Sequence, residues 1–248
     1  MIVNATRSGV EIMKSFTFIP GTHAKENLET TFDYFNLFKG MRNSLIVAIP
    51  ATILTAYFSA ITAYALAIYK FHGRSVIFYA LVIFMMIPGQ LSLIGFYNLC
   101  ARLGMVNTYW PLILPAIASP GTVFFLRQYV LSILSPSLLE AARIDGASEV
   151  RIFHKIVFPL MMPGIATMSI GAFIGNWNSY LVPLVLISNK EKFTLPVMIA
   201  SLNSSTDIAS NQGAIYMALA VAVVPIIIAF CFFSRYIISS ITAGGVKE

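Results

Sequence analysis

Residues 140–163 read EAARIDGASEVRIFHKIVFPLMMP, a polar stretch with long apolar runs on both sides. Just upstream, Ser135 is a residue type that can accept a hydrogen bond at a helix N-cap, and Pro136 at the first helical position gives up no useful donor. A helix is therefore expected here, with Leu138, Leu139, Ala141 and Ala142 forming an apolar, small-residue surface. Gly146 ends it, because glycine takes the left-handed backbone of a helix stop without a Cβ clash. A second helical stretch carries Arg151, His154 and Lys155, and Pro159 and Pro163 are expected to break it from the next apolar run. The result is an L-shaped, charged foot at one membrane face.

The flanking runs define the class. The chain has 248 residues, 58% hydrophobic and 10% charged, with a mean hydropathy of +0.80. A soluble domain of this length carries far more charge. Runs of about 20 apolar residues match the hydrocarbon thickness of a bilayer, where a helix satisfies its own backbone. An all-α, polytopic helical membrane protein follows. The formal charge of +6 is spread as single Lys and Arg residues in loops and at span ends, a topology pattern rather than a nucleic-acid footprint. Cys100 and Cys231 share no ligand spacing and His23, His72 and His154 stand far apart, so neither a metal site nor a disulfide framework is expected. No stretch has the form of a phosphate loop, so the chain is not expected to bind nucleotide itself.

Along the chain, residues 1–42 read as an external, mixed polar segment, broken by Gly9, Pro20, Gly21 and Asn27, with aromatic residues at Phe32, Tyr34, Phe35 and Phe38. A membrane domain over 43–240 follows, with spans near 43–69, 75–97, 110–126, 158–187 and 213–234. Arg127 is expected to end the third of these. A cytoplasmic loop covers 135–157, and 241–248 form a tail. Lys70, Arg74, Arg127, Arg143, Arg151 and Lys155, with Arg235 and Lys247 in the tail, lie on the side of the foot; Arg102, Lys190 and Lys192 lie opposite. The excess of basic residues makes the foot cytoplasmic. Arg7, Lys14, Lys25, Lys39 and Arg42 would then stand outside with no signal peptide to carry them there, so an upstream span is expected to be missing; truncation or an internal start at Met1 would account for it. The apolar cores contain no Asp, Glu, Lys or Arg of the kind that gradient-driven carriers use as relays, so energy must enter from elsewhere.

The foot also carries a resemblance. Glu140-Ala141-Ala142, three residues, Gly146, nine residues, Ile156, one residue and Phe158-Pro159 are similar to the EAA loop of binding-protein-dependent ABC importer permeases. Phe158 departs from the usual Leu, another large apolar residue. Asn43-Ser44-Leu45, Ala63-Tyr64-Ala65-Leu66-Ala67 with Phe71 and Gly73, Met86-Ile87-Pro88, and Leu103-Gly104 with Asn107-Thr108 resemble the carbohydrate-uptake, MalG-like branch. The resemblance implies a type I ABC importer (MetI-like) fold whose usual first span is absent here, in a bacterial plasma (inner) membrane. It implies a heterodimer with a second permease, a pair of cytoplasmic ABC ATPase subunits holding ATP and Mg, and an extracytoplasmic sugar-binding protein. This chain would bind no cofactor and catalyse no reaction. The loop would be a coupling helix seated on an ATPase subunit, with Glu140, Ala141, Ala142, Asp145, Gly146, Ile156 and Pro159 as its residues. A carboxylate at Glu140 suits a guanidinium partner. Arg143 and Arg151 read as ordinary surface charges. A non-sugar solute such as an amino acid, peptide or phosphate is the alternative cargo.

A substrate path is expected at Gln90, Asn176, Trp177, Asn178 and Tyr180. Amides deep in the span 158–187 need partners, which turns them to other helices or to a watery path. Trp and Asn also suit the ring faces and hydroxyls of a sugar. Both readings stand at this point. Gln90 follows Pro88 and Gly89 at a kink or gate, Gly171 and Gly175 have the spacing of a close helix contact, and the loop 188–212 either reaches toward the sugar, as in the maltose-type permease, or simply connects.

Overall fold

The backbone of the computed structural model, which describes residues 1–34, 36–203 and 212–244, is helical wherever it is regular. Short helices α1 (Ile2–Ala5), α2 (Gly9–Lys14) and α3 (Ala24–Tyr34) precede α4 (Leu37–Ile68), the axis on which the other spans are laid. Asn36 caps α4 by accepting from the Lys39 N–H. Along α4 the small residues Ala48, Ala51, Ala60 and Ala63 are fully buried, whereas Ile46, Ile49, Ile53 and Ile61 face outward. That pattern inverts the soluble one, because lipid accepts isoleucine while helix backbones approach closely only across small residues.

α5 (Arg74–Met85) and α6 (Leu93–Arg102) are the two limbs of a broken crossing, bent by 94° through Pro88 and the 3-10 turn Gly89–Ser92. The span expected over 75–97, with a kink or gate at Pro88 to Gln90, is bent there and runs on to Arg102, since Pro88 supplies no N–H to continue the helix. α7 (Trp110–Ile113), the 3-10 turn Leu114–Ile117 and α8 (Pro120–Ile133) make the next crossing, which passes beyond 126. Arg127 does not end it. Its Nε donates to Leu66 O (3.1 Å) and its guanidinium lies 4.2 Å from the centre of the Phe78 ring. Arg74 Nη2 donates to Ala67 O (3.1 Å), so two cations sit on the carbonyls that close α4, at the negative end of its dipole.

α9 (Pro136–Ile144) forms the foot, and α10 (Glu149–Ile152), a π-helical turn (Phe153–Val157) and α11 (Phe158–Trp177) make one helix. Pro159 and Pro163 do not break it, contrary to expectation. In the π turn the Phe158 N–H reaches back five residues to Phe153 O, and the widened turn gives the Pro159 ring room. The expected span 158–187 therefore begins earlier and stops at Trp177, with α12 (Leu181–Leu186) a separate short helix. After the 3-10 turn Lys190–Lys192, α13 (Leu195–Asn203) leads to α14 (Gln212–Gly244). Asn43 Nδ2 donates to Glu191 O and Phe193 O (both 3.0 Å) and Ser44 Oγ accepts from the Leu195 N–H (2.8 Å), which pins the entry to α13 on α4. Phe35, residues 204–211 of the expected loop, and residues 245–248 of the tail with Lys247 lie outside the described residues. Among the described residues four helices are long and apolar enough to cross a membrane, Leu37–Ile68, Trp110–Ile133, Glu149–Trp177 and Gln212–Ser234, and the bent pair, counted as one span, makes a fifth.

The N-terminal segment is folded onto the start of α14. Asn27 Nδ2 donates to Ala5 O (2.8 Å) and Arg7 O (2.9 Å), and the Thr31 hydroxyl reaches Ala214 O (3.0 Å). Gly213 is the point of closest approach, where a Cβ would stand 2.3 Å from Arg7 O and 2.6 Å from Asn27 Nδ2. Gly213→Ala is expected to push the segment off α14 at a cost of about 1–3 kcal/mol, read as faster proteolysis within residues 1–34. Gly95→Ala, whose Cβ meets open space, is expected to leave the cleavage rate unchanged.

Candidate functional site: the inner foot and a polar seam

α9 starts behind Pro136, yet Ser135 makes no cap bond; its Oγ pairs with Ser137 Oγ at 2.6 Å. The apolar surface expected of Leu138, Leu139, Ala141 and Ala142 is split by the helical turn. Leu139 (2% exposed) and Ala142 (8%) point inward to a cluster with Tyr64 and Leu66 of α4, Leu126 and Val130 of α8, and Phe153 and Met161. Leu138 and Ala141 point out. Glu140 and Ile144, four residues apart, share the outward face, and Ile144 is 86% exposed.

Gly146 has a φ of +76°. The Gly146 N–H donates to Arg143 O and the Ala147 N–H to Ala142 O (both 3.0 Å), the paired bonds of a Schellman stop. Ser148 then caps α10 by accepting from the Arg151 N–H. Across the turn, Arg143 Nε donates to Glu149 Oε1 (2.7 Å), and Tyr69, the residue that closes α4, donates its hydroxyl to Glu149 Oε2. Hydrogen bonding to this carboxylate holds the Arg143 guanidinium above its ordinary pKa. Arg143 is therefore not a free surface charge but half of a clamp joining α9, α10 and α4. Sequence reasoning missed Glu149 because its partners lie six and eighty positions away. It also missed Ile144, although an apolar residue one turn beyond Glu140 on a polar face was a readable signal. Asp145 is the exposed C-cap residue, Ile156 is partly buried against the inner cluster, and Pro159 is exposed on the helix above.

The second site lies between α4, α8 and α11. Thr55, Ser119, Thr122, Thr167 and Asn176 line a cavity of about 430 Å³. Gly171 and Gly175 open into it; neither would bring a Cβ within 4 Å of a neighbour, so they make no close helix contact in this chain. A cavity of about 280 Å³ shares Asn176 and adds Ser44, Ser179 and Thr194. A third, of about 470 Å³, shares Ser179 and brings Gln90 beside Tyr180. Hydroxyls and amides thus follow one seam through an otherwise apolar body. Sequence reasoning missed Thr55, Ser119, Thr122 and Thr167, although Thr167, Gly171 and Gly175 share one helix face at a spacing of four.

The two readings of the Asn–Trp pair separate in three dimensions. Trp177 is 2% exposed, donates from Nε1 to Ala222 O (3.1 Å) and stacks on Phe173, so its ring is a bond between α11 and α14. It sits at the end of α11, not deep in a span. Asn176 borders the seam, with Nδ2 donating to Ala172 O (2.9 Å). Asn178 caps α11 and borders a further cavity of about 320 Å³, against α14, with Trp177 and with Tyr180, which also lines the third cavity.

Residues 48–242 match the family model described as "Binding-protein-dependent transport system inner membrane component". The chain belongs to this family, and it is a multi-pass membrane permease. It is 39% identical to the arabinooligosaccharides transport system permease protein AraQ of Halalkalibacterium halodurans, over 100% of this chain and 89% of that protein. It is 33% identical to the diacetylchitobiose uptake system permease protein NgcG of Streptomyces coelicolor, over 98% and 81%. It is 30% identical to the sn-glycerol-3-phosphate transport system permease protein UgpE of Pectobacterium atrosepticum, over 95% and 86%. A chain in the crystal structure of a bacterial ABC transporter that imports alginate superposes with a TM-score of 0.78, at 22% identity, over 95% of this chain and 88% of that one. The fold is that of an ABC importer permease.

Glu149→Gln keeps the shape of the clamp and removes its charge. Hydrogen exchange over 136–147 is expected to rise roughly two- to fivefold, as for the loss of an exposed ion pair. Exchange along α14 should not change.

Proposed function

We propose that this chain is the permease of an ATP-driven importer whose cargo is a sugar, an oligosaccharide or a related polyol or glycoside. ATP and Mg are held by a pair of cytoplasmic ATPase subunits, a second permease completes the pathway, and an extracytoplasmic binding protein delivers the solute. The assembly sits in a bacterial plasma membrane. One observation carries this reading: the foot presents Glu140 beside a solvent-exposed Ile144 while its opposite face is cemented into the transmembrane core. Burying a side chain of that size contributes about 1.5–3 kcal/mol, which docking on a partner would gain. Glu140 supplies orientation through a charge-assisted bond to a partner guanidinium.

The mechanism follows from how the pieces are joined. Closure of the ATPase pair moves α9, and the clamp at Glu149 keeps α9 rigid on α10 and α4. Because Leu139 and Ala142 share one cluster with α4, α8 and α11, displacement of the foot tilts the walls of the seam. The seam then opens alternately to either side. Its hydroxyls and amides match the hydrogen-bonding surface of a sugar. A phosphate-bearing cargo, such as the name of the glycerol-3-phosphate relative indicates for that protein, calls for a cation along the route. Among the described residues, no Lys or Arg lines the three linked cavities.

In the reconstituted complex, Glu140→Lys with Ile144→Asp is expected to lower ATP-dependent uptake at least about tenfold and to abolish stimulation of the ATPase by loaded binding protein, with all subunits still co-purifying. Uptake and stimulation at the unmodified level would refute docking through this face. Gly171→Leu fills the seam without touching the foot. Uptake should fall by a similar factor while the complex still assembles, and a variant that transports normally would remove the seam from the route.

A further inference from the structure

Another cavity is on the other side of α4, and its chemistry differs from that of the seam. Its volume is about 820 Å³, and its long walls are apolar: Ile46, Ile53 and Phe58 on α4 face Trp110, Ile113 and Ile117. The mouth is at the end opposite the foot and is polar, with Thr108, Tyr109 and Lys192. Lys192 is held in place there. Its Nζ donates to Asn107 O (2.8 Å), and Asn107, at a φ of +62°, also accepts from the Asn189 N–H on Oδ1 (3.0 Å) and donates its own N–H to Leu186 O (2.7 Å). An ammonium has three hydrogens, so two remain for a ligand. The nearby carboxylate, Glu191, is already paired with Lys39. The mouth is therefore cationic, and the trough behind it is apolar.

Length decides between the possible occupants. From Ile46 to Phe58 the α4 wall is about 18 Å long at about 1.5 Å per helical residue. The hydrocarbon core of a bilayer is about 30 Å thick, so the trough spans about one leaflet. A groove of one leaflet's length matches an acyl chain more closely than a partner's transmembrane helix. A lipid needs one leaflet, with its charge at the headgroup level, where Trp110 also sits as an interfacial aromatic.

We propose that this groove is a binding site for an anionic phospholipid of the leaflet opposite the foot, with the phosphate on Lys192 and an acyl chain lying between α4 and residues 110–117. The site is separate from the solute route: it lies on the outer side of α4, and its trough offers a sugar no partners.

The test uses the assembled complex in nanodiscs of phosphatidylcholine containing a small fraction of phosphatidylglycerol with a photoreactive acyl chain. Label is expected within residues 53–58 and 113–117. Lys192→Gln should lower it about fivefold, in line with the attraction of one basic residue to an anionic lipid. Lys192→Arg should restore it, and a phosphatidylcholine probe should give weaker label that none of these variants changes. Label spread equally over α14, or indifferent to Lys192→Gln, would overturn the site. So would Ile53→Cys crosslinking to another polypeptide of the complex in place of the lipid probe, which would make the groove a subunit contact.

Discussion

Burial of Leu139 and Ala142 against α4 and α8 makes the foot part of the transmembrane body instead of a loop hanging from it. Both side chains sit on one face of α9, three residues apart, and enter the cluster that also holds the π turn and the start of α11. A force applied to the outward face therefore reaches three spans at once. The polar clamp of Arg143, Glu149 and Tyr69 adds direction to that burial, since the ion pair and the tyrosine bond fix the angle between the short helices. The apolar contact supplies most of the attachment, and the clamp sets its geometry.

A second constraint comes from the solvent. Lipid satisfies no backbone group, so each interruption of a helix must find partners inside the protein. Arg74 and Arg127 lie on the closing carbonyls of α4 and Asn107 gathers three loop bonds, while Thr167 donates its hydroxyl to Pro163 O within a proline-containing helix. The breaks are placed where function can use them. The bend after Met85 brings Gln90 beside Tyr180, and the end of α11 at Trp177 leaves Ser179 and Tyr180 free to border the seam. Straight helices over 75–97 and 158–187 would have kept those residues apart.

α4 is shared by both faces of this design. One side is small and carries Thr55 to the seam, and the other carries isoleucines to lipid and one wall of the outer trough. The same helix separates the proposed solute route from the groove proposed to hold an acyl chain.

The amino-acid sequence by itself determined the class and the helix and stop of the foot. Length and hydropathy required membrane helices, the Lys and Arg asymmetry gave the expected orientation, and the spacing from Glu140 to Pro159 marked the loop proposed to dock, because each of these is a local or compositional property. Gly146 was legible for the same reason: a helix stop is decided within a few residues. What only the tertiary structure decided depends on contacts between distant positions. Glu149 became a clamp through Tyr69, Arg127 became a cap for α4 instead of a span end, and Trp177 turned to Ala222 while its neighbour Asn176 turned to the seam. Local pattern shows that an amide, a ring or a cation must find a partner, but the packing of the helices chooses which one it finds.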